Sequence, residues 1–335
     1  MTRAVIWLLG AGVCLFIAVL VSQGVTAVLA TLTLAGWGLI AVALFHLLPL
    51  VLDAAAIRVL LASGARRAPM VDALLARWVG ESVSSLMPAG QIGGPLLMIR
   101  QLSQRGTPAP DAAAAIIVST TFQTFAQIVF ALMGVALLGE RARHSFQGSA
   151  AATPVLVGSS VLALLIAAFY LLQRRGLFGK MMRLALRFAG NRDWSLMPGH
   201  ADAIDGAVKS LHGHSMQVTA SFGLSLLGWV AGTGEVWLVL WLVGSRVSWS
   251  DALVLESLGQ AIRGAAFAVP GSLGVQEAGY LLLAPLASLR PDVALALSLA
   301  KRARELLLAA PGLVCLHVAE QALRRRASRA PAVVE

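Results

Sequence analysis

Long runs of apolar residues, separated by short polar segments, dominate the chain. A helix needs about 20 apolar residues to cross the hydrocarbon core of a bilayer, and several of these runs approach or exceed that length. The pattern therefore predicts membrane-spanning helices, together with one further, charge-bearing helix over residues 292–318. The clearest apolar runs cover residues 4–21, 36–52, 112–138, 154–172 and 218–243.

Two stretches interrupt this pattern with prolines, glycines and polar side chains. The first is ESVSSLMPAGQIGGP, within residues 78–98, and the second is AVPGSLGVQEAG, within residues 251–289. Proline ends a helix and glycine permits tight turns. Non-helical backbone at membrane depth survives only where it is buried in protein or lines a wet cavity, so we expect two re-entrant hairpins of broken helices. Their candidate binding residues are Glu81, Pro88, Gly93, Gly94, Glu256, Arg263, Pro270, Gly271, Gly274, Gln276 and Glu277.

The positions of Lys and Arg set the expected topology. If each hairpin leaves the membrane on the side from which it enters, 18 of the 26 basic residues lie inside and 4 outside. This bias predicts six full spans in a bacterial inner membrane, with both termini cytoplasmic and the first run kept as an uncleaved helix rather than a signal peptide. One membrane domain, residues 1–335, then divides into halves 1–172 and 216–322, a cytoplasmic linker 173–215 and a basic tail 323–335.

The two hairpins look like copies of each other. Pro88 begins PAGQIGGP and Pro270 begins PGSLGVQE, and a long helix follows each at Asp111 and Asp292, 23 and 22 residues later. In the predicted topology the first hairpin enters from the inside and the second from the outside. That is the inverted-repeat arrangement of many secondary transporters. The alternative is a coincidental similarity between two short segments.

The last predicted helix carries four charges in the segment ALSLAKRARELLLAAPGLV, at Lys301, Arg302, Arg304 and Glu305. Each charge at a helix centre costs about 2.5–3.5 kcal/mol, so the four cost on the order of 10 kcal/mol if they face lipid. We therefore expect them to face protein, water or one another. Lys301 and Glu305, four residues apart, can pair on one face. Candidate partners for the two arginines are Glu81, Glu235, Glu256, Glu277 and a lipid phosphate; a purely structural ion-pair network is the alternative.

Composition narrows the remaining classes. Apolar residues make up 58% of the chain and charged residues 13%, and the net charge of +10 is scattered through loops and tails, which excludes a nucleic-acid partner. The isolated Cys14 and Cys315 form neither a disulfide framework nor a metal site. Asp53 is expected to pair with Arg58. The sequence contains no GxxxxGK[ST], HExxH or GxSxG motif, so we expect no cofactor, no metal and no catalytic residues.

The charged segments carry a family resemblance. PGSLGVQEAG and SLAKRARELLLAAPGL resemble the membrane domain shared by lysylphosphatidylglycerol synthases and related lipid-associated proteins. ESVSSLMPAGQIGGP, with Arg100 behind it, is similar to the first motif region of that family. Within the family, the likeness is closest to the hopanoid-biosynthesis-associated integral membrane proteins. The family motif would place Pro270, Gly271, Gly274 and Glu277 at the central hairpin, and Arg302 and Glu305 on the last helix.

The resemblance implies a lipid-handling protein, since this domain of the synthases is regarded as flipping aminoacylated phosphatidylglycerol. No aminoacyl-transferase domain follows before Glu335, so we do not expect that activity. The predicted architecture is an all-α polytopic helical bundle with a central polar cavity. It would move a hopanoid, or an anionic or aminoacylated phospholipid, between leaflets. The expected partners are membrane lipids, with lipid-biosynthesis enzymes as further candidates; the alternatives are a lipid-modifying enzyme and a scaffold for such enzymes.

Overall fold

The computed structural model describes residues 33–62, 68–86, 90–145, 201–266 and 272–329, together with positions 26, 30 and 269. Within these ranges the chain consists of helices joined by turns, without a strand, which confirms the all-α prediction. In chain order the helices are α1 (Gly38–Phe45), α2 (Leu47–Leu61), α3 (Met70–Leu86), α4 (Gly90–Gln104), α5 (Ala109–Ser145), α6 (Ala201–Gly213), α7 (Ser215–Leu242), α8 (Trp249–Ala265), α9 (Val275–Leu283), followed by a 3-10 turn (Ala284–Ala287), and α10 (Pro291–Arg329).

Within the described ranges, three helices are long and apolar enough to cross a membrane. They are Gly38–Leu61, which joins α1 and α2, Ala109–Glu140 within α5, and Ser215–Leu242, which is α7. These correspond to three of the predicted apolar runs. The runs predicted at residues 4–21 and 154–172 lie outside the described residues. The chain is therefore an integral membrane protein by its described helices.

Each predicted hairpin consists of two shorter helices. In the first, α3 and α4 have 17 and 15 residues; in the second, α8 and α9 have 17 and 9. A 9- or 15-residue helix is too short to cross a bilayer, and 17 residues is at the lower limit. The glycines of GQIGGP were expected in broken backbone, but they lie within α4.

Glycine lets the two helices of the first hairpin approach closely. A Cβ added at Gly94 of α4 would lie 2.1 Å from Ser84 Oγ and 2.6 Å from the carbonyl oxygen of Gly80, both in α3. The carbonyl oxygen is backbone and cannot rotate away. Gly94 is therefore fixed by helix packing, as small residues commonly are between membrane helices.

Gly94→Ala should destabilise the protein by about 1–3 kcal/mol, because α3 and α4 would have to separate. The matched control is Gly223→Ala in α7, where an added Cβ meets nothing within 4 Å. Since alanine has a higher helix propensity than glycine, that variant should be as stable as the parent or slightly more stable. Denaturant unfolding in detergent measures both. Equal stability of the two variants would contradict the packing role.

The hairpins pack against the long helices in a reciprocal way. α3 of the first hairpin packs on α10, and α8 of the second packs on α5. A Cβ added at Gly312 of α10 would lie 2.0 Å from Ser82 Oγ, and one at Gly134 of α5 would lie 1.9 Å from Ser257 Oγ. Each hairpin thus places a serine, directly after a glutamate, against a glycine of the other half.

The end of the predicted linker, residues 173–215, is helical. Residues 173–200 lie outside the described part, but α6 packs on α5 and contributes Leu211 to an apolar cluster with residues of α2, α4 and α5. A second apolar cluster joins α7, α8, α9 and α10. These two clusters hold the helices that carry the charged residues.

Exposed tryptophans mark one end of the bundle. Trp37 precedes α1, Trp241 ends α7 and Trp249 begins α8. The start of α1 contacts the end of α7, since a Cβ at Gly38 would meet the side chain of Leu242. Tryptophan favours the membrane–water interface. At 1.5 Å per residue, a residue seven or eight positions along from this end lies about 10–12 Å from it along the helix axis.

Candidate functional site

Helix α10 is the hub of a buried ion-pair cluster. Its charged side chains reach α3, α7, α8 and α9, as well as the junction between α1 and α2. We call this set the charge cluster. Its members on α10 are Lys301, Arg302, Arg304 and Glu305; its members on other helices are His46, Asp53, Arg77, Glu81, Glu235, Glu256, Arg263 and Glu277.

Lys301 is the innermost cation. Its Nζ donates to Glu256 Oε2 at 2.7 Å and lies 3.9 Å from Glu235 Oε1. Tyr280 donates its hydroxyl to the same Glu256 oxygen at 3.2 Å, and Gln260 donates to the other at 2.8 Å. The i,i+4 pair of Lys301 with Glu305 therefore does not form. Lys301 instead binds Glu256 of α8, and the two further donors fix that carboxylate in place.

Arg304 connects three other helices to α10. Its Nε donates to Glu235 Oε1 at 3.1 Å, and its Nη1 lies 3.1 Å from His46 Nε2 and 3.7 Å from Glu81 Oε1. His46 in turn places Nδ1 at 2.7 Å from Glu235 Oε2 and Nε2 at 2.8 Å from Glu81 Oε1. Glu235 is 7 residues before the end of α7, and His46 is 8 residues after the start of α1. Both therefore lie about 10–12 Å along the helix axis from the tryptophan-marked end of the bundle.

Arg302 and Arg263 form the part of the cluster next to the second hairpin. Arg302 Nε donates to Glu277 Oε1 at 3.2 Å, and its Nη1 lies 3.5 Å from Glu305 Oε2. Arg263 donates to Glu305 and, at 3.2 Å, to Gln276 Oε1. Ser298 is bonded to Glu277 and Gln276. Glu256 and Arg263 of α8 therefore both face α10, where they bind Lys301 and Glu305.

Burial divides the cluster into a sealed centre and two partly open ends. The side chains of Glu235 and Lys301 are each 2% exposed. At one end Arg263 and Arg302 keep 23% and 15% exposure, and at the other end Glu81 keeps 28%. Removing one partner from a buried pair leaves an uncompensated charge, which costs about 3–5 kcal/mol. The centre therefore holds the helices together, while the ends remain accessible.

The remaining predicted site residues have varied positions. Gly274 precedes α9 with φ of +77°, a conformation that glycine adopts without strain. Gly94 packs between α3 and α4, and a Cβ at Gly93 would lie 3.6 Å from Val83. Pro88, Pro270 and Gly271 lie outside the described residues.

The sequence interpretation missed several members of the site. His46, Tyr280 and Ser298 were not selected, and Glu235 was considered only as a partner for the arginines. Asp53 binds Arg77 Nη2 and Gln123 Nε2, each at 2.7 Å, and the predicted partner Arg58 is exposed. A histidine inside an apolar run was a usable signal, because polar groups within membrane helices are costly and usually functional.

A small pocket opens at the Glu81 end of the cluster. Its lining includes His46, Trp78, Glu81, Ser82 and Arg304, and it has room for about one water molecule. A lipid headgroup is much larger than this pocket. This pocket is not the central polar cavity that the sequence predicted, which stays a prediction.

Comparison with protein families gives a match over most of the chain. The family described as the lysylphosphatidylglycerol synthase TM region matches residues 5–312, which includes both hairpins and the charged part of α10. Comparison with curated proteins and with solved structures gave no match. Since the family match covers nearly the whole chain, the protein belongs to the family of lysylphosphatidylglycerol synthase TM regions.

Proposed function

We propose that the protein moves an amphipathic lipid between the two leaflets, with the polar head of the lipid passing along the charge cluster. The observation that carries this proposal is the concentration of buried, paired charges on α10 and both hairpins, which contact His46 and Glu235 of two candidate spans. Such groups are costly within a bilayer and commonly mark a path for a polar substrate. Membership of a family of lipid-related membrane domains supports the same function.

Arg263 and Arg302 are the residues that we propose to bind the headgroup. Both side chains keep part of their surface accessible while carboxylates fix their direction, through Glu305 for Arg263 and through Glu277 for Arg302. A guanidinium can donate two parallel hydrogen bonds to a phosphate. The site would therefore recognise a phosphate group. Lys301 and Arg304, deeper in the cluster, would hold the carboxylates in position.

Glu277 points to a second feature of the ligand. Its Oε1 accepts from Arg302 and Ser298, whereas its buried Oε2 has no partner among the described residues. Buried carboxylate oxygens normally accept a hydrogen bond. A hydroxyl or ammonium group on the lipid head would supply the donor. We therefore propose a headgroup that combines a phosphate with a hydroxyl or amine, as in an anionic or aminoacylated phospholipid; a hopanoid with a polyhydroxylated head would satisfy Glu277 alone.

The reciprocal packing supports an inverted repeat. In such a repeat, α2–α5 correspond in order to α7–α10. The contact of α3 with α10 then corresponds to the contact of α8 with α5, and both contacts occur. The pairs Glu81–Ser82 and Glu256–Ser257 correspond under the same exchange, each with its serine against a glycine of the opposite half. Two such halves can rock against each other around a fixed site. We propose that this movement opens the cluster first to one leaflet and then to the other.

We also propose the topology of six spans with both termini in the cytoplasm of the inner membrane, and residues 78–98 and 251–289 re-entrant. The turn between α7 and α8 then faces outward. Labelling of a Ser245→Cys variant by a membrane-impermeant thiol reagent in intact cells tests this, and protection of that cysteine would reverse the assignment.

Transport by purified protein in vesicles tests the function. The vesicles contain a trace of fluorescent phosphatidylglycerol, and dithionite added outside quenches the label in the outer leaflet. We expect about half of the signal to be lost without protein, and nearly all of it with protein, since inner lipid then reaches the outer leaflet. Chromatography of the recovered lipid tests the alternative functions in the same samples. A chemically altered lipid without leaflet exchange would favour the lipid-modifying enzyme.

The scaffold alternative has a separate test. Deletion of residues 324–335 should leave leaflet exchange unchanged if the protein is a transporter, because this segment lies beyond the charge cluster. If the intact protein exchanges no lipid and the deletion abolishes its binding of lipid-biosynthesis enzymes, the scaffold function replaces the proposed one.

A further inference from the structure

His46 occupies an unusual position within a predicted membrane span. It lies at the junction of α1 and α2, within the span Gly38–Leu61, and its side chain is 14% exposed. Charged groups face it from every neighbouring helix. They are Glu81 and Arg77 on α3, Glu235 on α7, Lys301, Arg304 and Glu305 on α10, and Asp53 on α2, its own span.

The two ring nitrogens of His46 face more acceptors than a neutral ring can satisfy. Nδ1 lies 2.7 Å from Glu235 Oε2, and Nε2 lies 2.8 Å from Glu81 Oε1. A neutral imidazole carries one N–H, so it can donate to only one of the two carboxylates. The second short contact requires one more proton, on the ring or on a carboxylate. The group formed by His46, Glu81 and Glu235 therefore holds a proton that it can also lose.

Charge balance gives the same result independently. The ion pairs of the charge cluster connect six carboxylates with five Lys or Arg side chains. One bound proton makes the cluster neutral, and loss of that proton leaves a net negative charge within the bilayer. The carboxylates are Asp53, Glu81, Glu235, Glu256, Glu277 and Glu305, and the cations are Arg77, Arg263, Lys301, Arg302 and Arg304.

His46 Nε2 also faces a competing donor. Arg304 Nη1 lies 3.1 Å from the same nitrogen that faces Glu81. When Nε2 carries a proton, it donates to Glu81 and repels Arg304. When Nε2 has lost the proton, it accepts from Arg304 and repels the Glu81 oxygen. Protonation thus decides whether Glu81, on the first hairpin, is held at this point of the cluster.

The surroundings of Glu81 provide a route for the proton. Exposure falls from 28% at the Glu81 side chain to 14% at His46 and 2% at Glu235. The water-sized pocket adjoins both Glu81 and His46. A proton can therefore pass from water in this pocket to His46. Coupling to a gradient then requires the proton to leave on the opposite side of the membrane, after the first hairpin has moved.

We infer that His46 and Glu81 form a proton-binding site that couples lipid movement to a proton gradient. This inference rests on the proposed function. Loading by a proton ties Glu81 of α3 to His46 and, through the same ring, to Glu235 of α7 in the other half. Unloading frees Glu81, so the proton controls a contact between the two halves that leaflet exchange must break. Arg304, which contacts His46, and the headgroup-binding Arg302 lie on one helix. A change in the protonation of His46 can therefore move the lipid site through α10.

A pH gradient across vesicles tests the coupling. The probe is fluorescent phosphatidylglycerol, and the readout is its steady-state ratio between leaflets. With one proton per lipid, a gradient of one pH unit should shift this ratio about tenfold. His46→Gln, which cannot become a cation, should distribute the lipid evenly with or without the gradient. The matched control is His214→Gln, which changes an exposed histidine before α7 and should behave as the parent.

The outcomes separate this inference from the proposed function. If the parent exchanges lipid without a gradient but keeps an even distribution under one, the coupling is wrong and the transporter remains. If the parent exchanges no lipid even without a gradient, the proposed function itself fails. A His46→Gln variant that still follows the gradient would exclude His46 as the site.

A second measurement detects the proton without lipid movement. The ring ¹⁵N signals of His46 in purified protein, assigned by their loss in His46→Gln, should change between two states over about pH 5 to 8. In Glu81→Gln the transition should move to lower pH, since the ring loses an acceptor for its second proton. A ring that stays in one state across this range would overturn the proton site, whether or not the His46 variants transport lipid.

Discussion

Lipid exchange should fall by on the order of 100-fold when Arg263 and Arg302 are both replaced by alanine. Each guanidinium is expected to contribute a charge-assisted bond of about 1.5–3 kcal/mol to the bound headgroup, and together these correspond to at least two factors of ten in rate. The two residues are the cations of the cluster with the largest accessible surface next to the second hairpin. The measurement is the rate of dithionite quenching in vesicles with equal amounts of protein.

The control for this prediction is Arg290→Ala. Arg290 is 79% exposed and pairs with Asp292 at the start of α10, outside the charge cluster. This variant should exchange lipid at the rate of the parent. Because alanine also leaves Glu277 and Glu305 with fewer partners, the double variant Arg263→Lys, Arg302→Lys is a second test. It keeps both charges but cannot form bidentate hydrogen bonds, so its lipid exchange should still be about tenfold slower than that of the parent. Parental rates in both double variants would exclude these arginines from the lipid site.

Replacing Glu235 by alanine should lower the free energy of unfolding by about 3–5 kcal/mol. Its Oε1 accepts a hydrogen bond from Arg304, its Oε2 contacts His46, and Lys301 Nζ lies 3.9 Å from Oε1. These groups would remain buried without the carboxylate that balances them. Denaturant unfolding in detergent, followed by tryptophan fluorescence, measures the loss.

Two comparisons show whether charge is the reason. Glu140→Ala, at an exposed position in α5, should change stability by no more than about 0.5 kcal/mol. Glu235→Gln, Arg304→Met should lose less stability than Glu235→Ala, because both partners of one pair are removed together. If the double variant were the least stable of the three, the loss would come from packing, and the cluster would not be held by charge.

The sequence allowed the charge cluster to be located but not its pairings to be assigned. Four charges on one apolar helix could not face lipid at acceptable cost, so their convergence with the glutamates of the hairpins followed from energetics. Spacing along one helix also suggested that Lys301 pairs with Glu305. The choice of Glu256 depends on how α8 packs against α10, which brings Tyr280 and Gln260 to the same carboxylate. Such contacts between distant segments are not visible in local spacing.

The glycines of the first hairpin show a similar limit. A run such as GQIGGP predicts broken backbone from propensity alone, yet it lies in α4 because Gly80 and Gly94 let two helices approach closely. Tertiary packing overrides a helix penalty of about 1 kcal/mol per glycine. His46 was missed for a different reason. A single histidine changes the mean hydropathy of a long apolar run only slightly. The run therefore predicts a span, and the histidine within it does not stand out as a candidate site residue.

Cross-linking of a phospholipid to the protein tests the central claim most directly. A phosphatidylglycerol with a photoreactive headgroup is illuminated in vesicles with the protein, and the modified peptides are identified by mass spectrometry. We expect labels on α8, α9 and residues 298–305 of α10, with a large decrease in Arg263→Ala, Arg302→Ala and no change in Arg290→Ala. Labels confined to exposed apolar positions such as Leu306 and Val314, at equal levels in all three proteins, would contradict the account.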